Sequence, residues 1–466
     1  MGGNGCGRRS ASSKSSAADG DRPTYDPAVP DPDPPTPATS LFALREFRAL
    51  LGARGTNGLA ISALATVVAF QTYELTHDPL ALGWLGLVEA IPALSLVIYG
   101  GHVADRRERR TIVVLTSAAA TLCALVLAGL ALAGATLFGI LAVIFATGVA
   151  SGFERPALTA LEAQVVPRDQ AARGVSTLST VSQGASILGP ATGGIAIALI
   201  GIPATYAAIA VLLAVSTAFL VLIAPKPVPP PVEGEPFLQS LLGGIRYVRR
   251  TPALLGSMAL DLFAVFFGGA MALLPIYATD ILHVGAVGLG VLRTAPSVGA
   301  LVVMVVATRR PPSRHAGATL LICVAGFGVS MIVFGASTIF WISLVALFAS
   351  GITDGISMVI RSTILRVLSP ERIRGRVASV NWVFIGASNE LGALESGIAA
   401  RAFGTVPSVV GGGLLTLAVV GATAFLVPAL RSLDLDTAEP GDDGFGPIDT
   451  TIAATPAPPE APPTSA

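Results

Sequence analysis

The chain has 466 residues, of which 52% are hydrophobic and only 12% are charged, with a mean hydropathy of +0.72. A soluble domain carries about twice that charged fraction, so the composition excludes an ordinary soluble protein. The formal net charge of zero gives no indication of a nucleic-acid partner. Residues 111–152 and 174–225 contain no charged side chain. Each run is about two bilayer crossings long at roughly 20 residues per helix. These features predict an all-α polytopic membrane protein.

Cysteine and histidine indicate neither a disulfide framework nor a metal site. The three cysteines are Cys6, Cys123 and Cys323, and the last two fall inside predicted spans. The four histidines lie near predicted loops without metal-ligand spacing. We therefore expect no cofactor and no bound metal.

Two polar tails flank the apolar part of the chain. Residues 1–40 are rich in Gly, Ser, Pro and Asp, and residues 431–466 are acidic and rich in Pro, so both are predicted to be disordered cytoplasmic tails. Between them we predict twelve transmembrane helices, at about 55–75, 80–103, 111–133, 136–154, 172–200, 203–224, 253–279, 285–307, 316–336, 338–360, 376–402 and 405–428. They form two pseudo-symmetric six-helix bundles, residues 41–225 and 252–430, joined by a cytoplasmic linker at 226–251.

Alternate loops differ sharply in charge. The loops on one side carry the basic residues Arg106, Arg107, Arg109, Arg110, Arg155, Arg168, Lys226, Arg246, Arg249, Arg250, Arg309, Arg310, Arg314, Arg366, Arg372, Arg374 and Arg431. The short loops on the other side contain no Lys or Arg. The positive-inside rule then predicts a multi-pass protein of the cell membrane with both termini in the cytoplasm.

The linker contains an amphipathic segment. Its apolar residues recur at helical spacing, namely Phe237, Leu238, Leu241, Leu242, Ile245 and Val248. With the neighbouring arginines, this pattern predicts a helix on the cytoplasmic membrane face. We favour a structural linker over a regulatory one.

The two predicted bundles repeat one another in sequence. Nine residues recur about 203 positions later, from Pro167, Arg173, Ser176, Leu188, Gly189, Gly194, Ile195, Ala196 and Gly201 to Pro370, Arg376, Ser379, Leu391, Gly392, Gly397, Ile398, Ala399 and Gly404. Gly86 and Pro92 recur as Gly290 and Pro296. A doubled apolar core with ionisable residues inside it is typical of a transporter built from repeats.

The loop after the second span has a distinctive charge pattern, with Gly101 before Asp105 and a run of arginines after it. It resembles the hallmark loop of the major facilitator superfamily, although Glu108 stands where many members have Gly. In the second half Arg309 and Arg310 align with Arg106 and Arg107, while Thr308 replaces the Asp. The resemblance implies a cytoplasmic gate, for which the candidate residues are Gly101, Asp105, Arg106, Arg109, Arg110, Arg155, Asp354, Arg374 and Arg376.

The fifth span contains Gly189-Pro190-Ala-Thr-Gly193-Gly194. This resembles the core of a motif found in proton-coupled exporters of the superfamily. Proline kinks a helix, and glycines let a neighbouring helix approach closely. We therefore expect Gly189, Pro190, Gly193 and Gly194 to pack helices together.

A closer resemblance covers most of residues 45–430. The segments Tyr73-Glu-Leu-Thr76, Glu89-Ala-Ile-Pro92, Arg155-Pro-Ala157, Arg374-Gly-Arg-Val377, Asn389-Glu-Leu-Gly392 and Glu395-Ser-Gly397 look like the enterobactin-exporter-like branch. That resemblance implies outward transport of siderophores, macrolides or other amphiphilic compounds, without fixing the substrate.

Six ionisable residues fall inside spans, namely Glu89, Asp261, Arg293, Glu390, Glu395 and Arg401. Charges at membrane depth are costly, so we expect these groups to face a cavity or each other and to serve binding and proton coupling. A static structural pair, such as Glu89 with Arg401, is the alternative. Many proton antiporters of the superfamily carry an Arg within span four, whereas here Arg155 is predicted only at its end. Coupling is therefore expected to rely on a carboxyl group such as Glu390.

Together these features predict a transporter rather than an enzyme. We expect proton-coupled export of a small amphiphilic molecule by alternating access, with a monomer embedded in the lipid bilayer. Uptake, lipid movement and a non-transporting membrane sensor are the alternatives. The chain has no Gly-rich phosphate loop with its Lys, which argues against an ATP-driven pump.

Overall fold

The computed structural model describes residues 40–228, 237–307 and 315–435, and the regular elements in these ranges are helical. The first half comprises α1 (Arg45–Thr76), α2 (Pro79–Arg106), α3 (Arg109–Ala133), α4 (Leu137–Val165) and α5 (Ala171–Val221). The linker helix is α6 (Phe237–Arg250). The second half comprises α7 (Pro252–Phe267), α8 (Gly285–Ala307), α9 (Ala316–Ala336), α10 (Phe340–Leu368), α11 (Arg374–Phe403) and α12 (Thr405–Leu426). The predicted tails, apart from Ser40 and residues 431–435, lie outside the described residues, as do Thr308, Arg309, Arg310 and Arg314.

These helices provide twelve crossings within the described part of the chain, which confirms the predicted fold class. Ten helical segments are long and apolar enough to span a membrane. One of them contains α5, which is broken at Gly201 (φ 76°, ψ 168°) and so supplies two crossings. Only glycine adopts this backbone conformation without strain. The twelfth crossing is α11, which carries five ionisable residues: Arg374, Arg376, Glu390, Glu395 and Arg401.

Several helices are longer than predicted. α4 continues to Val165 instead of ending near 154, and α10 continues to Leu368 instead of ending near 360. Charges in the added turns did not end these helices because they pair inside the protein. In α4, for example, Glu162 forms a salt bridge of 3.0 Å with Arg54 of α1.

The seventh crossing is interrupted, although a continuous span over 253–279 was predicted. α7 ends at Phe267, and a 3₁₀ turn (Ala270–Leu273) and a π turn (Tyr277–Ile281) complete the crossing. The glycine pair at 268–269 and Pro275 explain the break, because neither residue type favours a helix interior.

Glycines and prolines of the repeated segments lie where helices approach most closely. In the first half Gly148 of α4 packs against Pro92 of α2, and in the second half Gly351 of α10 packs against Pro296 of α8. In the fifth-span motif, Gly189 and Gly193 pack against Ala63 of α1. Gly194 faces Ala286 and Gly290 of α8, while Pro190 lies opposite Gly290. These contacts join the first half to the second.

The two halves share a core at one end and have separate cores at the other. We call the end with the arginine-rich loops after α2, α4 and α10 the basic end, and the opposite end the far end. At the far end one buried cluster draws on both halves, including Val67 and Leu127 from the first and Leu289 and Phe334 from the second. At the basic end each half has its own cluster. The halves therefore part toward the basic end.

The linker helix packs on the second half. The Tyr247 hydroxyl donates to the Leu368 carbonyl at the end of α10 (2.5 Å), and Val248 is buried. Gly244 lies against the backbone of Arg376 in α11. Tyr247 and Val248 thus pack against protein, and of the predicted apolar face this accounts for Val248. The side chains of residues 237–241 lie outside the described part of the structure.

Candidate functional site

Two acidic side chains meet where α2 and α11 cross between the halves. Gly86 of α2 leaves space for Glu390 of α11, since a Cβ atom at Gly86 would lie 2.5 Å from Oε2 of Glu390. Glu89 lies one helical turn from Gly86 and interacts electrostatically with Glu390. The structure therefore brings together two of the six ionisable residues that the sequence placed inside spans.

Two arginines balance these carboxylates. Arg155 of α4 interacts electrostatically with both Glu89 and Glu390, and Arg293 of α8 interacts with Glu89. Arg293 also donates to the Ala65 carbonyl of α1 (3.1 Å), which ties the second half to the first. We call Glu89, Arg155, Arg293 and Glu390 the central cluster. Each half contributes one acid and one base, so the cluster is neutral when all four groups are charged, as charges at membrane depth require.

The prediction for Arg155 is corrected by this arrangement. The sequence placed Arg155 at the end of span four, as a gate residue. Because α4 continues to Val165, Arg155 lies well inside the helix. Its electrostatic partners place it with the central cluster. The helix of span four therefore contains an Arg ten residues before its end.

A second group of charges lies within the second half. Arg361 of α10 forms an ion pair with Asp261 of α7 and a 3.4 Å salt bridge with Asp354 of its own helix. Asp354 was predicted as a gate residue near the end of the span 338–360, but α10 continues 14 residues beyond it. Arg361 was missed because the predicted span stopped at 360. The seven-residue separation of Asp354 and Arg361, two turns of a helix on one face, was a usable signal.

Arg401 lies at the far end, away from the central cluster. It forms a 3.2 Å salt bridge with Asp78, the N-cap of α2. Nearby, the Tyr73 hydroxyl of α1 donates to Asp280 in the π turn of the second half. Asp78, Tyr73 and Asp280 were not predicted as site residues, because nothing in one sequence pairs these loops. Both contacts join the halves where their shared core lies.

Glu395 also lies apart from the central cluster. It is five residues beyond Glu390 on α11, which places it about 140° around the helix at 100° per residue. Glu390 faces α2, so Glu395 does not. Its role in coupling stays a prediction.

Two of the predicted gate residues at the basic end, Asp105 and Arg110, contact their own half in the described part of the chain. Asp105 is 71% exposed and contacts Arg109 of the first half at 3.9 Å. Arg110 donates to the Val221 carbonyl of the first half (2.8 Å). A Cβ atom added at Gly101 would have no other atom within 4 Å, and Arg106 is the last residue of α2. Arg374 and Arg376 begin α11.

Comparisons with known proteins agree with this architecture. The family model described as Major Facilitator Superfamily matches residues 50–393. The chain is 27% identical over 388 residues to "Enterobactin exporter EntS" of Citrobacter koseri, covering 80% of this chain and 91% of the relative. It is 27% identical over 391 residues to the protein of that name from Escherichia coli O9:H4, covering 80% and 92%.

Solved structures share the fold. A POT family transporter in complex with 5-aminolevulinic acid superposes with a TM-score of 0.68 at 13% identity, covering 83% of this chain and 96% of that chain. A bacterial homolog of the human lysosomal transporter Spinster, in an inward-facing and unoccupied conformation, gives a TM-score of 0.66 at 13% identity, covering 85% and 97%.

Proposed function

The chain belongs to the Major Facilitator Superfamily, and from that premise we propose that this membrane transporter is a proton-coupled exporter of a siderophore-type compound. The central cluster is the observation that carries the proposal. It places two carboxylates and two guanidinium groups between the halves, on helices from both. Such groups at membrane depth mark substrate and ion pathways.

The cluster suggests how protons and substrate exchange. Glu89 interacts with both Arg155 and Arg293. An acidic group of a substrate binds the same two guanidinium groups from the cytoplasmic side and leaves when the site opens to the outside. A proton from outside then neutralises Glu89 or its neighbour Glu390. The neutral carboxyl group is attracted less strongly to the arginines, which favours the return of the halves to the inward-facing state. There the proton is released to the cytoplasm, so substrate moves outward and the proton moves inward.

The fold supports alternating access. The halves part toward the basic end and share a core at the far end. By the positive-inside rule the basic end faces the cytoplasm, so this arrangement is an inward-facing state of a monomer. Outward opening requires the halves to rotate, breaking the Asp78–Arg401 and Tyr73–Asp280 contacts. Both termini are then cytoplasmic.

The substrate class follows from the relatives and the arginines together. The curated relatives are named as exporters of enterobactin and align with most of this chain. Two guanidinium groups between the halves suit an acidic amphiphilic molecule, because guanidinium binds carboxylate and similar oxyanions in a bidentate manner. We therefore propose an anionic siderophore as the exported compound.

Transport by purified protein in liposomes tests this function. With an acidic lumen, we expect inside-out protein to accumulate enterobactin against its gradient. Glu390→Gln should remove the dependence on the pH gradient, and Glu74→Gln, at the exposed far end of α1, should retain it. A Glu390→Gln protein that keeps full dependence on the gradient would contradict the coupling mechanism. Wild-type protein that moves no enterobactin would contradict the substrate.

A further inference from the structure

An exposed tryptophan lies on the face of α11 that closes the far end. Trp382, Asn389, Ala393 and Ala400 follow one stripe, because steps of seven, four and seven residues return to the same side of a helix. At the far end of this stripe Ala400 is buried in the shared core, and Ala393 packs against Gly86 of α2. Toward the basic end Asn389 is exposed, and Trp382 is 70% exposed. The side chains of this stripe are therefore exposed where the two halves separate, and Trp382 borders the opening between the halves.

Contacts through α2 place Trp382 near the depth of Arg155. Leu94 of α2 lies against Gly386 of α11, and Gly100 of α2 lies against Gly152 of α4. α2 and α11 are antiparallel. Trp382 lies four residues from Gly386 toward the basic end, and the same step on α2 leads from Leu94 to position 98, two residues before Gly100. Arg155 is three residues beyond Gly152, or about 4.5 Å along the helix. Trp382 and Arg155 therefore lie within about two helical turns of the same depth.

The Arg155 side chain is exposed and acts electrostatically on the helix that carries Trp382. It interacts electrostatically with Glu390 of α11, across the seam between the halves. Its guanidinium group and the indole of Trp382 thus border one opening, from opposite walls. An indole offers a large flat apolar face for a ring, while a guanidinium group offers donors to an oxyanion.

We propose that Trp382 and Arg155 form a subsite for an aromatic ring that carries a negatively charged group. Trp382 stacks on the ring, and Arg155 binds the anion. This inference rests on the proposed function, because it gives the arginine of the central cluster a substrate to bind. It narrows the substrate class from acidic amphiphiles to aromatic acids. Trp382 is on this assignment a specificity-determining residue.

Another exposed tryptophan provides a matched control. Trp341 is also 70% exposed, but it is the second residue of α10, at the far end. Tryptophan is enriched at such membrane interfaces. Trp382 is instead eight residues inside α11, about 12 Å from the start of the helix. A position at the membrane interface thus explains why Trp341 is exposed. Trp382 lies deeper, on the stripe that faces the opening.

Two measurements on the full chain in lipid nanodiscs test the subsite. The first is quenching by iodide, a water-soluble ion, of proteins that retain a single tryptophan. We expect iodide to quench Trp382 more strongly than Trp341, because the opening is aqueous. Equal or weaker quenching of Trp382 would place it against lipid and overturn the proposal.

The second measurement is equilibrium binding of 2-naphthoate and of its saturated analogue, decahydro-2-naphthoate. Wild-type protein should bind naphthoate more tightly than the analogue. Trp382→Leu should weaken naphthoate binding by about two- to tenfold, while Trp382→Phe and Trp341→Leu should leave it near wild type. Binding of the saturated analogue should be equal in all four proteins.

The outcomes separate the subsite from the export function. If Trp382→Leu weakens both ligands equally, the residue supports the fold and does not stack on a ring. If wild-type protein does not bind naphthoate, or Trp382→Leu binds it normally, the subsite is wrong. Either result leaves pH-driven transport of enterobactin to be judged by its own assay, because naphthoate binding needs neither a gradient nor transport.

Discussion

Asn57 and Asp261 occupy equivalent positions in the two halves, yet they bind side chains of different charge. The segment Ala49-Leu-Leu-Gly52 recurs as Ala253-Leu-Leu-Gly256, which fixes the alignment at 204 residues. Asn57 donates to Glu154 of α4 (3.3 Å), whereas Asp261 forms an ion pair with Arg361 of α10. Each half therefore has a polar contact between its first helix and its fourth. We call the Asn57–Glu154 contact the first brace and the Asp261–Arg361 contact the second brace. Each brace holds two helices of one half together, so that the half moves as a unit at the basic end, where the halves have separate cores.

Removing the acidic member of the second brace should destabilise the protein. Asp261→Asn leaves Arg361, whose side chain is only 15% exposed, with Asp354 at 3.4 Å as its remaining acidic partner among the described residues. Breaking a buried ion pair costs about 3–5 kcal/mol. Because Asp354 remains, we expect the free energy of unfolding to fall by an amount near the lower end of this range. It is measured on the purified protein in detergent.

The first brace provides the comparison. Asn57→Ala removes one hydrogen bond to Glu154, and such a bond contributes about 1.5–3 kcal/mol when one partner is charged. The double variant Asp261→Asn/Arg361→Gln should recover part of the loss, because no unpaired cation remains. If Asp261→Asn unfolds with the wild-type free energy, the ion pair does not brace this half.

Loosening the far end should populate an outward-open state. Tyr73→Phe removes the hydroxyl that donates to Asp280, one of the contacts between the halves. A hydrogen bond contributes about 1 kcal/mol, so the ratio of open to closed molecules should rise about fivefold. Spin labels at Glu74 and Val406, both exposed, would report this as a longer distance component in electron resonance. An unchanged distance distribution in Tyr73→Phe would mean that this contact does not hold the far end closed.

Adding one carbon at the seam between α5 and α8 should impair transport. A Cβ atom at Gly290 would lie 2.5 Å from the Pro190 carbonyl, and backbone on both sides leaves it no room. Overpacking of this kind typically costs about 1–3 kcal/mol. We expect Gly290→Ala to lower the melting temperature and the transport rate. Gly129→Ala in α3, with no neighbouring atom within 4 Å, is the control and should melt at or above the wild-type temperature. Normal transport by Gly290→Ala would show that the close approach is not required.

Hydropathy and the internal repeat were sufficient to predict the fold, but not which charges meet. Twelve crossings follow from uncharged runs such as 111–152. The positions of Arg155 and Arg361 were misjudged because a charge lowers hydropathy whether it faces water or a buried partner. Only the packing of α4 and α10 against their neighbours shows that Arg155 interacts electrostatically with Glu89 and that Arg361 forms an ion pair with Asp261. Likewise, Asp78 and Arg401 are 323 residues apart, and no local pattern joins them.

The corrected position of Arg155 leads to a direct test. If Arg155 belongs to the central cluster, then Arg155→Gln leaves Glu89 and Glu390 with Arg293 as the one remaining cation of the cluster, and a substrate anion loses a binding group. We expect transport of enterobactin in liposomes to fall by at least tenfold, the effect of about 1.4 kcal/mol, mainly through a higher KM. Arg106→Gln, at the end of α2, removes a charge from the basic end without touching the cluster and should change KM by less than twofold. Equal effects of the two substitutions on KM would mean that Arg155 acts as a gate residue at the basic end and not as part of the central cluster.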